Sequence, residues 1–338
     1  MGVFPLLGGL ALFVYSMNGM SEGLRKAAGE KLKTVLGVIT RNAWSGVLAG
    51  ALVTAVLQSS SAAICMAVGF VSAGLIGLPQ AIAIIFGANI GTTVTAQILA
   101  FPIGTYAWGL VFAGFVLLFF GEGERLRNVG QTVFSFGLLF VGIETMGNVM
   151  RPLASSRVFT KLLGQVADLP VLGVLVGAGM TLVVQSSSAT IAVLQNFAAT
   201  PVAGGTASVV GLAGAVPVLL GDNIGTTVTS LLASAGQTAD ARRAALAHSI
   251  FNITGAAVCL LFLGPFTELV RLVSPSGPEV EILSRQIANA HTLFNIINTL
   301  LWLPLVHVME KAVIFLIPDA SCPSQDRQEN KNPVNRIQ

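Results

Sequence analysis

Gln58-Ser59-Ser60-Ser61-Ala62 recurs in this chain as Gln185-Ser186-Ser187-Ser188-Ala189, 127 residues later. At the same offset Leu12-Phe13-Val14 matches Leu139-Phe140-Val141, Gly50 matches Gly177, and Thr54 matches Thr181. Further along, Gly87-Ala88-Asn89-Ile90-Gly91-Thr92-Thr93-Val94-Thr95 recurs as Gly221-Asp222-Asn223-Ile224-Gly225-Thr226-Thr227-Val228-Thr229, at an offset of 134. The seven extra residues fall in or near 197–208, where Pro201 and Gly204-Gly205 mark a loop. Packing composition would repeat glycine and alanine. A glutamine and three serines repeated in order mark an internal duplication.

The chain around these motifs is apolar. Of 338 residues 54% are hydrophobic and 10% charged, with a mean hydropathy of +0.80. A soluble domain carries about 25% charged residues, so soluble enzymes, nucleic-acid binders and disordered scaffolds are excluded. The net charge of +3 provides no coat for nucleic acid. Cys65, Cys259 and Cys322 lack CxxC spacing, which leaves no disulfide framework and no zinc or other transition-metal site. The composition reads as an all-α polytopic protein with the lipid bilayer as its solvent. Met1-Gly2-Val3-Phe4-Pro5 has no basic n-region, so residues 4–20 read as a retained helix and not a signal peptide.

A crossing takes about 20 apolar residues. Residues 4–20 form one crossing. Residues 43–77 hold the first Gln-Ser-Ser-Ser motif near their middle, which predicts a re-entrant helical hairpin. Residues 79–101 are interrupted by Gly87, Asn89 and Gly91, which predicts a broken transmembrane helix. Residues 105–120 cross again. Three net crossings are an odd number, so the second half is expected upside down relative to the first. The first inverted-topology repeat then spans 4–120. The second spans 131–263, with a hairpin at 170–203 and a broken helix at 207–235. A C-terminal helix at 286–317 and a disordered tail at 318–338 complete the layout. Inverted repeats with interrupted helices at matching positions are the signature of a secondary transporter with a midplane site. A serine hydrolase is excluded, since no Gly-x-Ser-x-Gly motif occurs.

Arg25, Lys26, Lys31, Lys33, Arg41, Arg125, Arg127, Arg242 and Arg243 fall on one side of this layout. Arg151, Arg157, Lys161, Arg271 and Arg285 fall on the other. The positive-inside rule places the first side, and with it the C-terminus, in the cytoplasm.

No Lys or Arg occurs from residue 42 to 124 or from 162 to 241. The duplicated cores offer hydroxyls and amides instead. Serine is a favoured N-cap, so the tips at Ser59, Ser60, Ser61 and at Ser186, Ser187, Ser188 are expected to begin half-helices. Thr92 and Thr226 are expected to begin two more. Up to four helix N-termini would converge and form an anion site without arginine. The opposite helix ends supply carbonyl oxygens. Together with Gln58, Gln185, Thr54, Thr181, Asn89, Thr92, Thr93, Asn223, Thr226 and Thr227 they suit a hard monovalent cation such as Na+. Asp222, where the first half has Ala88, adds one intramembrane carboxylate. A multivalent anion held by dipoles alone is under-compensated, and coupled cations would supply the missing charge.

Plainer roles compete. A single serine in a membrane helix usually packs or bonds to its neighbour; duplication of the whole tip reverses that preference. The pairs Gly46/Gly50 and Gly173/Gly177 read as close-packing positions. Asp222 reads equally as a cap on Asn223-Ile224-Gly225. His248 and His291 sit in the similar phrases Ala247-His248-Ser249-Ile250-Phe251-Asn252 and Ala290-His291-Thr292-Leu293-Phe294-Asn295. There, mutual satisfaction of histidine and asparagine between helices is preferred to ion binding. Glu144 reads as a helix-end charge.

On these two duplicated motifs the chain resembles the type II sodium–phosphate cotransporters and their bacterial relatives, over roughly residues 5–305. The resemblance implies Na+-driven symport of inorganic phosphate across the inner (plasma) membrane, with Na+ as coupling ion and no cofactor. It implies phosphate near the serine tips, Na+ held by Gln, Ser and Thr of both repeats, and an elevator-like motion. Carried over by position, the binding candidates are Gln58, Ser59, Ser60, Ser61, Thr92, Gln185, Ser186, Ser187, Ser188, Thr226 and Thr227. A homodimer is compatible with it. Animal members often carry Val-His-Asp-x-x-Asn after the first Gly-x-Asn-Ile-Gly-Thr motif. Here the first half has no such phrase and the second reads Ala247-His248-Ser249, which leaves the stoichiometry open. The large extracellular loop of animal members is absent. A transporter of another oxyanion or of dicarboxylates, and a non-transporting phosphate sensor or subunit, are the alternatives.

Overall fold

The computed structural model describes residues 3–28, 42–101, 103–154, 169–202 and 207–318. Among them the chain is helical, apart from short turns and one bridge between Pro201 and Ser208. In chain order, α1 is Val3–Ala28, α2 Ala43–Leu57, α3 Ser60–Ser72, α4 Leu78–Leu99, α5 Ala107–Phe120 and α6 Glu124–Ala154. The second half continues with α7 Pro170–Val184, α8 Ser187–Ala198, α9 Gly211–Ser234 and α10 Ala239–Leu261. After these come α11 Leu263–Leu272, α12 Glu279–Trp302 and α13 Val306–Leu316.

Segments Leu78–Leu99, Glu124–Val149, Gly211–Ser234, Ala239–Leu261 and Glu279–Leu316 are long and apolar enough to cross a membrane. The arms α2, α3 and α7 have 15, 13 and 15 residues, short of the about 20 that a crossing takes. Local signals set their ends. Asn42 caps α2 by accepting from the Ser45 amide at 2.8 Å, and its own amide donates to Ser45 Oγ at 3.2 Å. Pro170 opens α7 where its missing N–H costs nothing.

The expected breaks at Gly87–Gly91 and Gly221–Gly225 do not occur: α4 and α9 run through both motifs as continuous helices. The glycines serve the approach of two backbones. A Cβ on Gly87 would lie 1.9 Å from the Val47 carbonyl oxygen, and one on Gly50 2.1 Å from that of Ile84. The second half repeats the contact, with Gly221 against Val174 at 2.0 Å and Gly177 against Val218 at 1.9 Å. Each first hairpin arm therefore lies directly on the following long helix. Thr92 and Thr226 begin no half-helix, because their hydroxyls donate to the carbonyls of Ala88 and Asp222 one turn back, both at 2.9 Å. The expectation of four N-termini reduces to two.

Three apolar clusters hold the bundle. One joins hairpin α2–α3 to α4, α10 and α13; a second joins α8 and α9 to α11 and α12. The third packs Phe13 and Met17 of α1 on Leu139 and Phe140 of α6, with Ala189 and Ala192 of α8. The expected C-terminal helix at 286–317 is two helices. A 3-10 turn at Leu303–Leu305 separates them, where Pro304 lacks an amide hydrogen. The helix α11 occupies the stretch between the second repeat and residue 286, where the sequence layout has no helix. Beyond Pro318, the expected tail lies outside the described residues.

Candidate functional site

Both duplicated tips turn in the same two residues. Gln58 takes a left-handed backbone (φ 52°, ψ 26°) and its amide donates to Thr54 O at 2.8 Å. Gln185 does the same (φ 57°, ψ 24°), donating to Thr181 O at 2.7 Å. They are the two non-glycine residues with positive φ among those described. Left-handed backbone costs an L-residue about 1–2 kcal/mol, so glutamine stands where glycine would be easier. Ser59 and Ser186 then reverse the chain with extended backbones, each accepting through its hydroxyl from Ala62 or Ala189 N–H at 3.3 Å. The amides of Ser60, Ser61, Ser187 and Ser188 open their helices and have no intrahelical acceptor.

These tips, 127 residues apart in sequence, meet. Gln58 to Ser61 and Gln185 to Ser188 line one cavity of about 200 Å³, closed on its third side by Val14, Met17, Asn18 and Ser21 of α1. No lining residue is charged. The α1 contribution was missed from sequence, where Asn18 and Ser21 are two polar residues among several, with Ser16, Glu22, Arg25 and Lys26, in the second half of that helix. Ser21 Oγ also donates to Leu57 O, which ties α1 to the first tip.

The other candidates are not in this cavity. Thr54 and Thr181 are buried one turn beneath the tips. Asp222 is fully buried, and its Oδ1 accepts from Thr181 Oγ1 at 2.5 Å. Asn89 and Asn223 each donate to a carbonyl one turn back, of Ile85 at 2.8 Å and Leu219 at 2.9 Å. Their Oδ1 atoms face α10 and α12: Asn89 is near His248 and Asn252, both at 3.4 Å, and Asn223 accepts from Asn295 at 3.3 Å. His248 also bonds Ser230 at 3.0 Å. The histidine–asparagine phrases thus join α10 and α12 to the two long helices. Thr93 and Thr227 donate to carbonyls of their own helices at 2.8 Å. Thr95, not singled out from sequence, donates to Gln58 Oε1 at 2.7 Å and fixes that side chain. Glu144 is no helix-end charge; it lies well inside α6 and lines a larger cavity of about 510 Å³.

The arrangement has a definite electrostatic character. Two helix N-termini, each equivalent to about +0.5 charge, point at a small cavity edged by seven serines and three amide side chains. It can take an anion by hydrogen bonding, with no fixed cation to hold it permanently.

Comparison with known proteins agrees with this duplicated plan. The Na+/Pi-cotransporter family model matches the chain twice, over residues 12–148 and 142–288. The uncharacterized protein YqeW of Bacillus subtilis (strain 168) is 32% identical over 310 residues, 91% of this chain and 96% of YqeW. YjbB of Salmonella typhimurium, named for inorganic phosphate export, is 26% identical over 318 residues. Those are 93% of this chain and 55% of YjbB, so the chain spans about half of that relative. The sodium-dependent phosphate transport protein 2B of Mus musculus is 35% identical over 178 residues, 49% of this chain and 24% of that protein. No solved structure matches the chain. With one family match on each hairpin and several helices fit to cross a bilayer, this is a multi-pass membrane protein of the Na+/Pi-cotransporter family.

Proposed function

We propose that the chain is a Na+-coupled transporter of inorganic phosphate, with the anion bound between the two serine tips. The convergence of both duplicated tips on one uncharged cavity carries this reading. Two helix N-termini provide about +1 charge in total, while hydrogen phosphate is a dianion. The deficit requires a co-bound cation, so the anion site stays empty until Na+ arrives. In this reading Gln58, Gln185, Thr54, Thr181, Asp222 and the Asn and Thr residues of the long helices serve the cations, and the six serines serve phosphate. The two hairpins are re-entrant, the halves are inverted, and the hairpin core moves elevator-like against α1, α5 and α6 in the inner membrane.

The test is radiolabelled phosphate uptake into proteoliposomes under an inward Na+ gradient. Uptake should exceed that in choline, and collapse when the gradient is dissipated. Equal uptake in both salts would refute sodium coupling. The similarity to YjbB, a relative named for phosphate export, favours a second direction of net flow. Loaded vesicles that release phosphate only along an outward Na+ gradient would identify it.

A further inference from the structure

We infer that the larger cavity, toward the end of α8 away from the serine tips, binds an organic ammonium ion through Glu144, Gln195 and Asn196.

This cavity of about 510 Å³ lies where α6 and α8 meet the end of α4 and the start of α12. Gln195 stands eight residues beyond Ser187 on α8, about 12 Å along the helix at roughly 1.5 Å per residue. The cavity shares no lining residue with the one between the tips. Backbone carbonyls sort its polar groups. Gln195 donates through Nε2 to Ala96 O at 3.0 Å and Ser284 O at 3.1 Å. Asn196 donates through Nδ2 to Ile143 O at 2.8 Å, which sets it beside Glu144. Carbonyls only accept, so both amide orientations are fixed. The Thr200 hydroxyl is likewise spent, on Asn196 O at 2.9 Å.

What remains for a ligand is oxygen. Gln195 is 4% exposed and its Oε1 has no partner, an exception that calls for a missing donor. The Oδ1 of Asn196 is the end of that amide which Ile143 does not engage. Among the described residues Glu144 has no ion pair. Arg285, next to the lining residue Ser284, is engaged with Gln97 O and Oε1 at 3.2 and 3.1 Å and stacks on Phe101 at 4.0 Å.

One carboxylate with two amide oxygens repels anions and suits a cation. The volume falls within the roughly 300–1,000 Å³ of organic-ligand sites, and Leu99, Phe101, Phe140 and Ile143 give an apolar wall. A bare alkali ion would leave that wall uncovered. A primary ammonium has three N–H donors, one for each acceptor, and its hydrocarbon body covers the wall. Glu144 is exposed and Gln195 buried, so the charge stands at the mouth and the orphan oxygen at the floor.

The experiment is equilibrium dialysis of the purified full-length protein in detergent against radiolabelled phenethylammonium, with protein-free micelles as the blank. Wild type should bind one amine per chain, saturably. Phenethyl alcohol, which keeps the hydrocarbon and drops the charge, should compete at least tenfold more weakly. Glu144→Gln should weaken binding roughly ten- to a hundredfold. Ala199→Leu adds bulk to the cavity wall without touching an acceptor and should weaken it too. Absence of saturable binding, an alcohol that competes equally, or a Glu144→Gln variant that binds as wild type does would each overturn the inference. Should Glu144→Gln fail to fold, Ala199→Leu decides, and unchanged affinity refutes the site. Displacement by NaCl but not by tetramethylammonium chloride would give the oxygens to an alkali ion and refute the ammonium reading. The measurement uses neither phosphate nor a Na+ gradient, so its outcome stands apart from that of the transport reading.

Discussion

The two halves agree at their tips and diverge a single turn below them. Gln58 and Gln185 share a left-handed backbone within 5° in φ and 2° in ψ, and Ser59 and Ser186 make the same cap at the same 3.3 Å. Beneath, Thr181 serves Asp222, while Thr54 has neither acid nor partner. Gln58 is held by Thr95, whereas Gln185 is exposed and bonds only within its own turn, donating to Leu182 O at 3.0 Å. In the proposed reading, what two-sided binding of one anion demands has stayed duplicated. The supports, which need not be symmetric, have diverged.

The largest effect should come from the feature both halves share. Gly87→Val and Gly221→Val place side chains where a carbonyl oxygen already lies 1.9 and 2.0 Å from a Cβ position. Overpacking costs about 1–3 kcal/mol even where neighbours can yield, and helix backbones yield least. Both variants should give little or no monodisperse protein on size-exclusion chromatography. Normal yield of either would mean that hairpin and long helix do not pack as described.

Next is the contrast below the tips. Thr181→Val strips Asp222 Oδ1 of its hydrogen bond and should destabilise by about 1–3 kcal/mol. Thr54→Val removes a hydroxyl that has no partner and should leave the sodium-free melting temperature unchanged or raised. Equal losses in both would erase the proposed asymmetry. The smallest effect concerns the strained glutamines. Gln58→Gly and Gln185→Gly relieve about 1–2 kcal/mol of left-handed penalty and add chain entropy costing roughly 0.5–1 kcal/mol. Melting temperatures should move by only a few degrees. The Na+ dependence of phosphate uptake should weaken more in Gln58→Gly, which also frees Thr95. A collapse in stability would mark both glutamines as structural.

Much of this was legible in the sequence because duplication exposes what packing hides. The hairpin arms end where the polar tip ends, and the motif itself names its turn and its caps. The continuous helices were misread because glycine has two uses. In Gly87-Ala88-Asn89-Ile90-Gly91 it reads as a break, yet a partner backbone in contact requires it just as strongly, and that partner, α2, lies some forty residues away in sequence. The threonine hydroxyls expected to begin half-helices are returned to the preceding turn at Thr92 and Thr226. Nor could sequence reveal the α1 wall of the cavity. Asn18 and Ser21 belong to no duplicated motif, and only tertiary packing brings them to the tips.

The central claim is that two tips form one anion site, and equilibrium binding of radiolabelled phosphate in NaCl tests it most directly. Wild type should bind one phosphate per chain. Ser60→Ala and Ser187→Ala, each losing a hydroxyl to a charged ligand worth about 1.5–3 kcal/mol, should each weaken affinity roughly ten- to a hundredfold at that single site. Two phosphates per chain, or a variant that binds as wild type does, would contradict a shared site.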